Sequence, residues 1–179
     1  MTLSQLTRRA FLARSAALGA GLAAAALPAL PARAAIPPSI VTIKQRSSGR
    51  FLDAWDDGSN DWSVVTRPAQ NNSSQEWMIT WDDSGTSTGT VMQLSSGRFL
   101  DAHEIESMDY RLVTRPAQAN DSQRWQIWSI GGGYYNIIQM SNGRFVDAHE
   151  IAERDFAVVT RPKQTDATQQ WLVKVLRNG

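Results

Sequence analysis

One cassette occurs three times in this sequence and limits the architectures open to the chain. Its constant parts are Gly-Arg-Phe-Leu/Val-Asp-Ala, then Asp with an aromatic residue, then Thr-Arg-Pro, and finally Gln-x-Trp. Gly97 follows Gly49 by 48 residues, and Gly143 follows Gly97 by 46 residues. Repeats of this length are typical of units that stack or surround an axis, because one unit cannot bury its apolar face alone. We therefore expect three equivalent units, over about 40–85, 88–131 and 134–177.

Residues 1–34 are predicted to be an export signal peptide. Arg8 and Arg9 stand in a context that resembles the twin-arginine export signal, and a mildly apolar Ala/Gly/Leu stretch follows them. That stretch is shorter than the roughly 20 residues that a membrane span requires. The small-x-small sequence at 32–34 is typical of a signal-peptidase site. We expect a secreted or periplasmic domain over 35–179, with no membrane span in the mature chain.

Removing this leader reverses the sign of the net charge. The full chain has 18 basic and 17 acidic residues, and four of the basic residues lie in the leader. The mature chain would therefore keep 14 basic against 17 acidic residues, a net charge of −3. Nucleic-acid-binding domains carry a basic patch or stripe, so nucleic acid is not expected as a partner. The chain also contains no cysteine, so core burial must stabilise it without disulfides.

Each repeat is predicted to form four β-strands. In the first repeat, 40–43 is rich in β-branched residues, and Ser48-Gly49 is a turn signal leading into a second strand over 50–56. A third, short apolar strand ends at Pro68, because proline has no N–H to donate to a neighbouring strand. The fourth strand contains Gln-x-Trp. No long segment shows helical periodicity, so the chain is predicted to be all-β with twelve strands.

The threefold Gln-x-Trp motif, with a Leu/Val-Asp pair upstream of each copy, resembles the ricin B-type β-trefoil lectins. The resemblance covers essentially the whole mature chain. It implies a β-trefoil, which is a six-stranded barrel capped by three hairpins with pseudo-threefold symmetry. It also implies that the glutamines and tryptophans of the motif are core residues: Gln75, Trp77, Gln123, Trp125, Gln169 and Trp171.

The same resemblance implies that Asp53, Asp101 and Asp147 bind sugar. A carboxylate suits that task because its charge-assisted hydrogen bonds to hydroxyl groups are strong. The alternative is structural: each aspartate ties its own repeat together through the Gln-x-Trp glutamine or a backbone amide. The sequence leaves both roles open.

The chain departs from the family next to these aspartates. Arg67, Arg115 and Arg161 stand where typical members have an aromatic residue that stacks on the sugar. A planar guanidinium could donate to sugar hydroxyls or to a ligand carboxylate, and it could equally form an ion pair with an acid of its own repeat. The arginines are candidate binding residues on the first interpretation and structural residues on the second.

His103 and His149 occupy equivalent positions in repeats two and three, where repeat one has Trp55. Alternation along a strand would place each on the same face as the aspartate two residues earlier. We expect these three side chains to lie at the pocket mouth and to stack on a ligand or hydrogen-bond to it. Repeats two and three, which share Asp-Ala-His-Glu, are favoured over repeat one. No third metal ligand is identified, so neither a metal nor another cofactor is predicted.

A further aromatic position recurs in the three repeats. Trp62, Tyr110 and Phe156 each follow an aspartate, and an aromatic side chain there could be a sugar platform or a packing residue. The sequence does not favour one role over the other.

No catalytic motif accompanies the cassette: there is no Gly-x-Ser-x-Gly elbow and no glycine-rich phosphate loop. We therefore expect an exported, non-catalytic, carbohydrate-binding module with up to three sites, which would bind a glycan, a polysaccharide or a surface glycoprotein multivalently. The alternative is a protein-interaction or inhibitor module on the same scaffold, which would use loops such as 56–61 and 104–109.

Overall fold

The structure is a computed structural model that describes residues 36–82 and 87–179. The predicted export signal and its cleavage site lie outside the described residues. Within the described ranges, no helix is long and apolar enough to cross a lipid bilayer.

Each repeat contributes four antiparallel strands, as predicted. The first repeat contains β1 (Ser39–Gln45), β2 (Phe51–Ala54), β3 (Val64–Arg67) and β4 (Trp77–Trp81). The second contains β5 (Thr88–Gln93), β6 (Phe99–Ala102), β7 (Leu112–Arg115) and β8 (Trp125–Gly131). The third contains β9 (Tyr134–Gln139), β10 (Phe145–Ala148), β11 (Val158–Arg161) and β12 (Trp171–Asn178). The predicted all-β, twelve-stranded β-trefoil is confirmed for the described chain.

The first and fourth strands of the repeats close into a barrel. β1 pairs with β4, β4 with β5, β5 with β8, β8 with β9, β9 with β12, and β12 with β1. Because the sixth strand returns to the first, the ring has no unpaired edge that could recruit another chain.

The second and third strands form three hairpins that cap the barrel: β2–β3, β6–β7 and β10–β11. Single antiparallel bridges connect the hairpins to one another around the pseudo-threefold axis. The bridged pairs are Ser63 with Val113, Arg111 with Val159, and Val65 with Ala157. The cap is therefore a cyclic arrangement in which each repeat contacts both others.

The three motif tryptophans fill the core and are fully buried. Each indole Nε1–H donates to the carbonyl oxygen of the residue before Asp53, Asp101 or Asp147 in its own repeat. Trp77 donates to Leu52 at 3.1 Å, and Trp125 donates to Leu100 at 3.0 Å. The motif therefore holds the second strand of each repeat against the barrel.

An unusual backbone turn directs one aspartate of each repeat towards another repeat. Asp61 and Trp62 both adopt left-handed conformations, with φ of 50° and 52°, and the equivalent pairs in the other repeats do the same. Such a conformation is unfavourable for a residue with a Cβ, so surrounding hydrogen bonds must stabilise it. The Asp61 amide donates to Gly58 O, and Trp62 O accepts from the amide of Thr114 in the next repeat.

Candidate functional site

Repeat one contains a surface pocket of about 390 Å³ beside β2. Its lining combines two carboxylates, a guanidinium, an indole ring, an amide and a hydroxyl. The residues that supply these groups are Asp53, Asp56, Arg67, Trp55, Gln70 and Ser74. The pocket therefore brings together three of the residues that the sequence identified as candidates in this repeat: Asp53, Trp55 and Arg67.

Asp53 lies at the base of this pocket with only 5% of its surface exposed. Its Oδ1 accepts from the Ala54 amide at 2.8 Å, and its Oδ2 accepts from Nε2 of Gln75 at 3.1 Å. The same Gln75 amide also donates to Pro68 O, and its Oε1 accepts from the amide of Gln70. Asp53 thus makes both structural contacts that the sequence offered as an alternative, while it also lines the pocket.

The equivalent aspartates make the same contacts. Asp101 and Asp147 are 5% and 6% exposed, and each accepts from the following alanine amide at 2.8 Å. The motif glutamines Gln123 and Gln169 donate to them at 3.2 and 3.3 Å. Every repeat therefore holds a buried carboxylate by the same two donors.

Trp55 and Arg67, which line the repeat-one pocket, both contact an aspartate of the third repeat. Arg67 donates from Nη1 and Nη2 to the two carboxylate oxygens of Asp155, at 2.6 and 3.1 Å. The Trp55 indole N–H donates to Asp155 Oδ2 at 3.0 Å, and the Arg67 guanidinium lies 4.9 Å from the centre of the Trp55 ring. Asp155 therefore fixes the orientation of both pocket side chains.

The donors around Asp155 favour its ionised form. The hydrogen bond from Arg67 is the largest cause that lowers its pKa, and the Trp55 N–H and the charges of Arg67 and Arg50 act in the same direction. These effects outweigh desolvation, which raises the pKa. Asp155 is therefore a carboxylate over the whole neutral pH range.

In repeat two, a histidine takes the place of the tryptophan. Nε2 of His103 lies 2.7 Å from Oδ2 of Asp61, and Nη1 of Arg115 donates to Oδ1 of Asp61 at 3.3 Å. Burial tends to raise the pKa of Asp61, but the hydrogen bonds and charges of His103 and Arg115 together lower it.

Repeat three repeats this arrangement with one more cation. Nε2 of His149 lies 2.7 Å from Oδ2 of Asp109, and Arg161 donates to Oδ1 at 2.7 Å. Arg154 also donates to Oδ2, at 2.9 Å. Burial opposes ionisation of Asp109, but the bonds and charges of His149 and Arg161 lower its pKa overall.

Two expectations about this region were wrong in detail. The predicted second strand ran to residue 56, whereas β2 ends at Ala54, so Trp55 and its histidine equivalents lie beyond the strands rather than on their faces. On the structural interpretation, Arg67, Arg115 and Arg161 would have paired with an acid of their own repeat. Their partners come from the preceding repeat, because the left-handed turn carries that aspartate across the boundary.

The recurring aromatic residues pack against arginines. The guanidinium of Arg98 lies 3.9 Å from the ring centre of Trp62, and that of Arg144 lies 3.7 Å from Tyr110. Arg50 lies 3.7 Å from Phe156 in the same way. One face of each aromatic ring is therefore covered by the Gly-Arg-Phe arginine of the following repeat. This agrees with the packing role rather than with a sugar platform.

Sequence reasoning missed several residues of the site. Gln70 was not singled out, and Asp155 was noted only as half of an Asp-aromatic pair. The signal that could have identified Asp61, Asp109 and Asp155 is their recurrence before each aromatic residue. Among residues 36–82 and 87–179, no group of three or more His, Cys, Asp or Glu side chains could hold a metal ion.

Solved structures share this fold at low sequence identity. ThreeFoil, a designed threefold-symmetric protein, is 22% identical with a TM-score of 0.66, and the match covers 75% of this chain and 97% of that protein. A Polyporus squamosus lectin, solved with the epitope Neu5Aca2-6Galb1-4GlcNAc, is 18% identical with a TM-score of 0.67 over 80% of this chain and 51% of the lectin. The exo-β-1,3-galactanase 1,3Gal43A from Clostridium thermocellum is 21% identical with a TM-score of 0.67, over 77% of this chain and only 30% of the enzyme.

A comparison with curated protein sequences found no significant match. The profile of the ricin-type beta-trefoil lectin domain, in contrast, matches residues 39–171, which include all three repeats. The cyclic barrel, the three capping hairpins and the three buried Gln-x-Trp motifs agree with that match. The chain therefore belongs to the ricin-type β-trefoil lectin domain family.

Proposed function

We propose that this protein is a non-catalytic carbohydrate-binding module whose main site is the repeat-one pocket. The observation that carries the proposal is the juxtaposition of the Asp53 carboxylate, the Trp55 ring and the Arg67 guanidinium around one cavity of about 390 Å³. Membership of a lectin-domain family supports it, as do similar structures of a lectin and of a galactanase.

Each of these groups has a suitable task in sugar recognition. A carboxylate accepts hydrogen bonds from neighbouring hydroxyl groups, and charge-assisted bonds of this kind are strong. Trp55 supplies an aromatic surface for the C–H face of a sugar. It could thus replace the stacking aromatic of typical family members, whose position is occupied here by Arg67. Gln70 and Ser74 add an amide and a hydroxyl group at the rim.

The charges of the pocket favour a neutral sugar. Asp53 and Asp56 both line it, whereas the positive charge of Arg67 is already paired with Asp155 at 2.6 Å. A ligand carboxylate in this pocket would face two like charges without a free cation. The proposed ligand is thus a neutral residue of a glycan or polysaccharide.

Repeats two and three are proposed as further, weaker sites. They keep the buried aspartate and the cross-repeat arginine but have His103 or His149 in place of the indole. An imidazole offers less apolar area to a sugar face than an indole does. Sequence reasoning favoured these two repeats, whereas the aromatic wall favours repeat one. Sites on one rigid barrel would raise avidity for a repetitive glycan.

The experiment is a glycan array followed by titration calorimetry with the best neutral ligand. Trp55→Ala is expected to weaken binding about tenfold or more, because aromatic packing contributes on the order of 1 kcal/mol or more beyond its area. The matched control is Trp128→Ala, which removes an indole that is 55% exposed and lies outside the pocket. If both variants bind like the unmodified protein, or if no glycan binds at all, the proposal is wrong.

Export is part of the proposal. The twin-arginine-like leader supports secretion or delivery to the periplasm, where a surface glycan or glycoprotein is accessible. Fractionation of the producing cells, with N-terminal sequencing of the mature protein, tests this. A chain that starts near Ala35 outside the cytoplasm is expected, and an uncleaved cytoplasmic chain would contradict it.

A protein-interaction module is the second candidate, and one observation favours it. Ile105 and Ile151 occupy equivalent loop positions and are 54% and 48% exposed. Exposed apolar side chains on symmetric loops suit contact with a protein surface. Pull-down from a surface extract before and after glycosidase treatment separates the candidates, because only glycan-dependent capture should disappear after treatment.

A further inference from the structure

The side chain of Arg111 differs from the other arginines of the hairpin cap because it makes no hydrogen bond, ion pair or ring contact within the part of the chain that the structure describes. Its Nε is buried and makes no hydrogen bond, and no ion pair involves Arg111 anywhere in the part of the chain that the structure describes. A buried guanidinium N–H without an acceptor is costly, because the group has lost its water and gained nothing in return. An anion in contact with the guanidinium would supply the counter-charge that Arg111 lacks.

Open space adjoins Arg111 on two sides. One cavity of about 310 Å³ is lined by Arg111, His149, Arg154 and the carboxylate of Asp109. Another of about 350 Å³ is lined by Arg111, Arg154 and Ser63 together with the carboxylates of Asp61 and Asp155. Arg111 also forms one of the three bridges around the pseudo-threefold axis. The free guanidinium therefore lies where the three hairpins meet and where two cavities adjoin it.

Arg111 is the only arginine lining these cavities whose charge is unpaired within the described chain. The cavities are also lined by three aspartates, Asp61, Asp109 and Asp155, and each of them already pairs with another arginine. Arg154, which also lines both cavities, donates to Asp109. An anion is therefore the partner that Arg111 lacks.

Arg111 also breaks the threefold symmetry. The equivalent residues are Ser63 in repeat one and Ala157 in repeat three, and both take part in the same kind of bridge. A serine or an alanine is thus compatible with this backbone position, and the fold does not require arginine here. A structural role shared by the three repeats cannot account for the guanidinium.

We infer that Arg111 forms an anion-binding subsite on the pseudo-threefold axis, which takes the carboxylate of an acidic sugar residue. The planar fork of arginine matches a carboxylate with two parallel hydrogen bonds. The choice of a saccharide rests on the proposed function, because the same cavity is also lined by hydroxyl and amide groups from Ser59, Asn60 and Ser63 that suit sugar hydroxyls.

Trp55 connects this subsite with the repeat-one pocket. Its side chain lines the pocket around Asp53 and also the cavity around Arg111. One oligosaccharide can therefore contact Trp55 from both cavities, with a neutral sugar residue beside Asp53 and an acidic sugar residue beside Arg111. This arrangement makes an acidic glycan with a neutral neighbour the ligand class expected to bind most tightly.

The test observes the Arg111 Nε–H resonance by NMR in ¹⁵N-labelled protein during titration with D-glucuronate, D-glucose or inorganic sulfate. Glucuronate is expected to shift this resonance, whereas glucose is expected to leave it unchanged. Arg111→Ser, which copies repeat one, should weaken glucuronate binding about tenfold or more, since charge-assisted hydrogen bonds are lost. Arg177→Ser removes an equal charge from an exposed arginine paired with Glu76 and should have no effect.

Three results would overturn the inference: an unchanged Arg111 resonance in saturating glucuronate, equal glucuronate affinity in the Arg111→Ser variant, or a sulfate response as strong as that to glucuronate. The last result would leave a general anion site without a preference for sugar. Neutral glycan binding without a shift of the Arg111 resonance would contradict the Arg111 subsite but not the repeat-one pocket. A shift of the Arg111 resonance without any binding of neutral glycans would contradict the repeat-one pocket but not the Arg111 subsite.

Discussion

Nε2 of His103 lies 2.7 Å from the carboxylate of Asp61, although the two residues belong to different repeats. The same relationship joins His149 to Asp109 and, through an indole N–H, Trp55 to Asp155. Each repeat thus receives one carboxylate from its predecessor in a closed cycle. The side chains that were candidates for ligand binding are consequently held by contacts between repeats.

Asp155→Asn is expected to lower the melting temperature at about pH 6 by about 1–4 °C, because it removes an exposed ion pair with Arg67. The folded state lowers the pKa of Asp155, so its contribution is complete above the unfolded pKa of about 3.9. That contribution is lost as the pH falls through the folded pKa. The difference between unmodified protein and variant should therefore shrink as the pH is lowered below about 3.9, as measured by circular dichroism melts.

A melting difference that grows on acidification would contradict this account. Asp166→Asn is the control, since Asp166 makes no ion pair within the described chain and accepts only from Thr168. Its effect is expected to be smaller at every pH.

Alanine at Asp53, Asp101 or Asp147 is expected to destabilise the fold by about 1–3 kcal/mol in each case, because two buried donors lose an acceptor. The three costs should be similar, since the three sets of contacts are nearly identical. Binding of a neutral glycan should differ: Asp53→Ala is expected to abolish most of it, and the other two variants should retain most of it. Urea unfolding and calorimetry measure the two effects separately.

Equal losses of binding in the three variants would show that the repeats bind equally, against the preference for repeat one. Unequal losses in the free energy of unfolding would show that the hydrogen bonds shared by the three aspartates do not set the cost of their removal.

Trp125→Phe is expected to lower the free energy of unfolding by about 1–3 kcal/mol, as it removes buried volume and the hydrogen bond to Leu100 O. Trp128→Phe changes an indole that is 55% exposed and should be close to neutral. Denaturant titrations of both variants test this, and comparable costs would argue against the burial of Trp125 as the cause.

Gly89→Ala is expected to be among the most damaging single substitutions, with a cost of about 3 kcal/mol or more. A Cβ at this position would lie 2.3 Å from the carbonyl oxygen of Thr80, where β4 pairs with β5 in the barrel. Neither backbone can move without disturbing the register. Thr90→Ala on the same strand is the control, and a Gly89→Ala protein as stable as that control would refute the clash.

The repeats made the fold predictable. Trp77, Trp125 and Trp171 recur with the period of the cassette, which predicts three equivalent units. The resemblance of the Gln-x-Trp motif to the ricin B-type lectins implied the barrel with three caps. The candidate pocket was partly predictable, since Asp53, Trp55 and Arg67 were all identified. Gln70 was not identified, although its recurrence as Gln118 and Gln164 at the spacing of the cassette was a signal that could have found it.

The sequence by itself determined the all-β class, the number of strands and the three equivalent units, because those depend on local polarity repeated at a constant spacing. The resemblance of the Gln-x-Trp motif to a known family added the barrel and its core residues. Only the tertiary structure decided that Asp155 pairs with Arg67 and that Arg111 is left without a partner. Those outcomes depend on contacts between segments about 50 to 100 residues apart, which two left-handed residues in each turn direct from one repeat into the next.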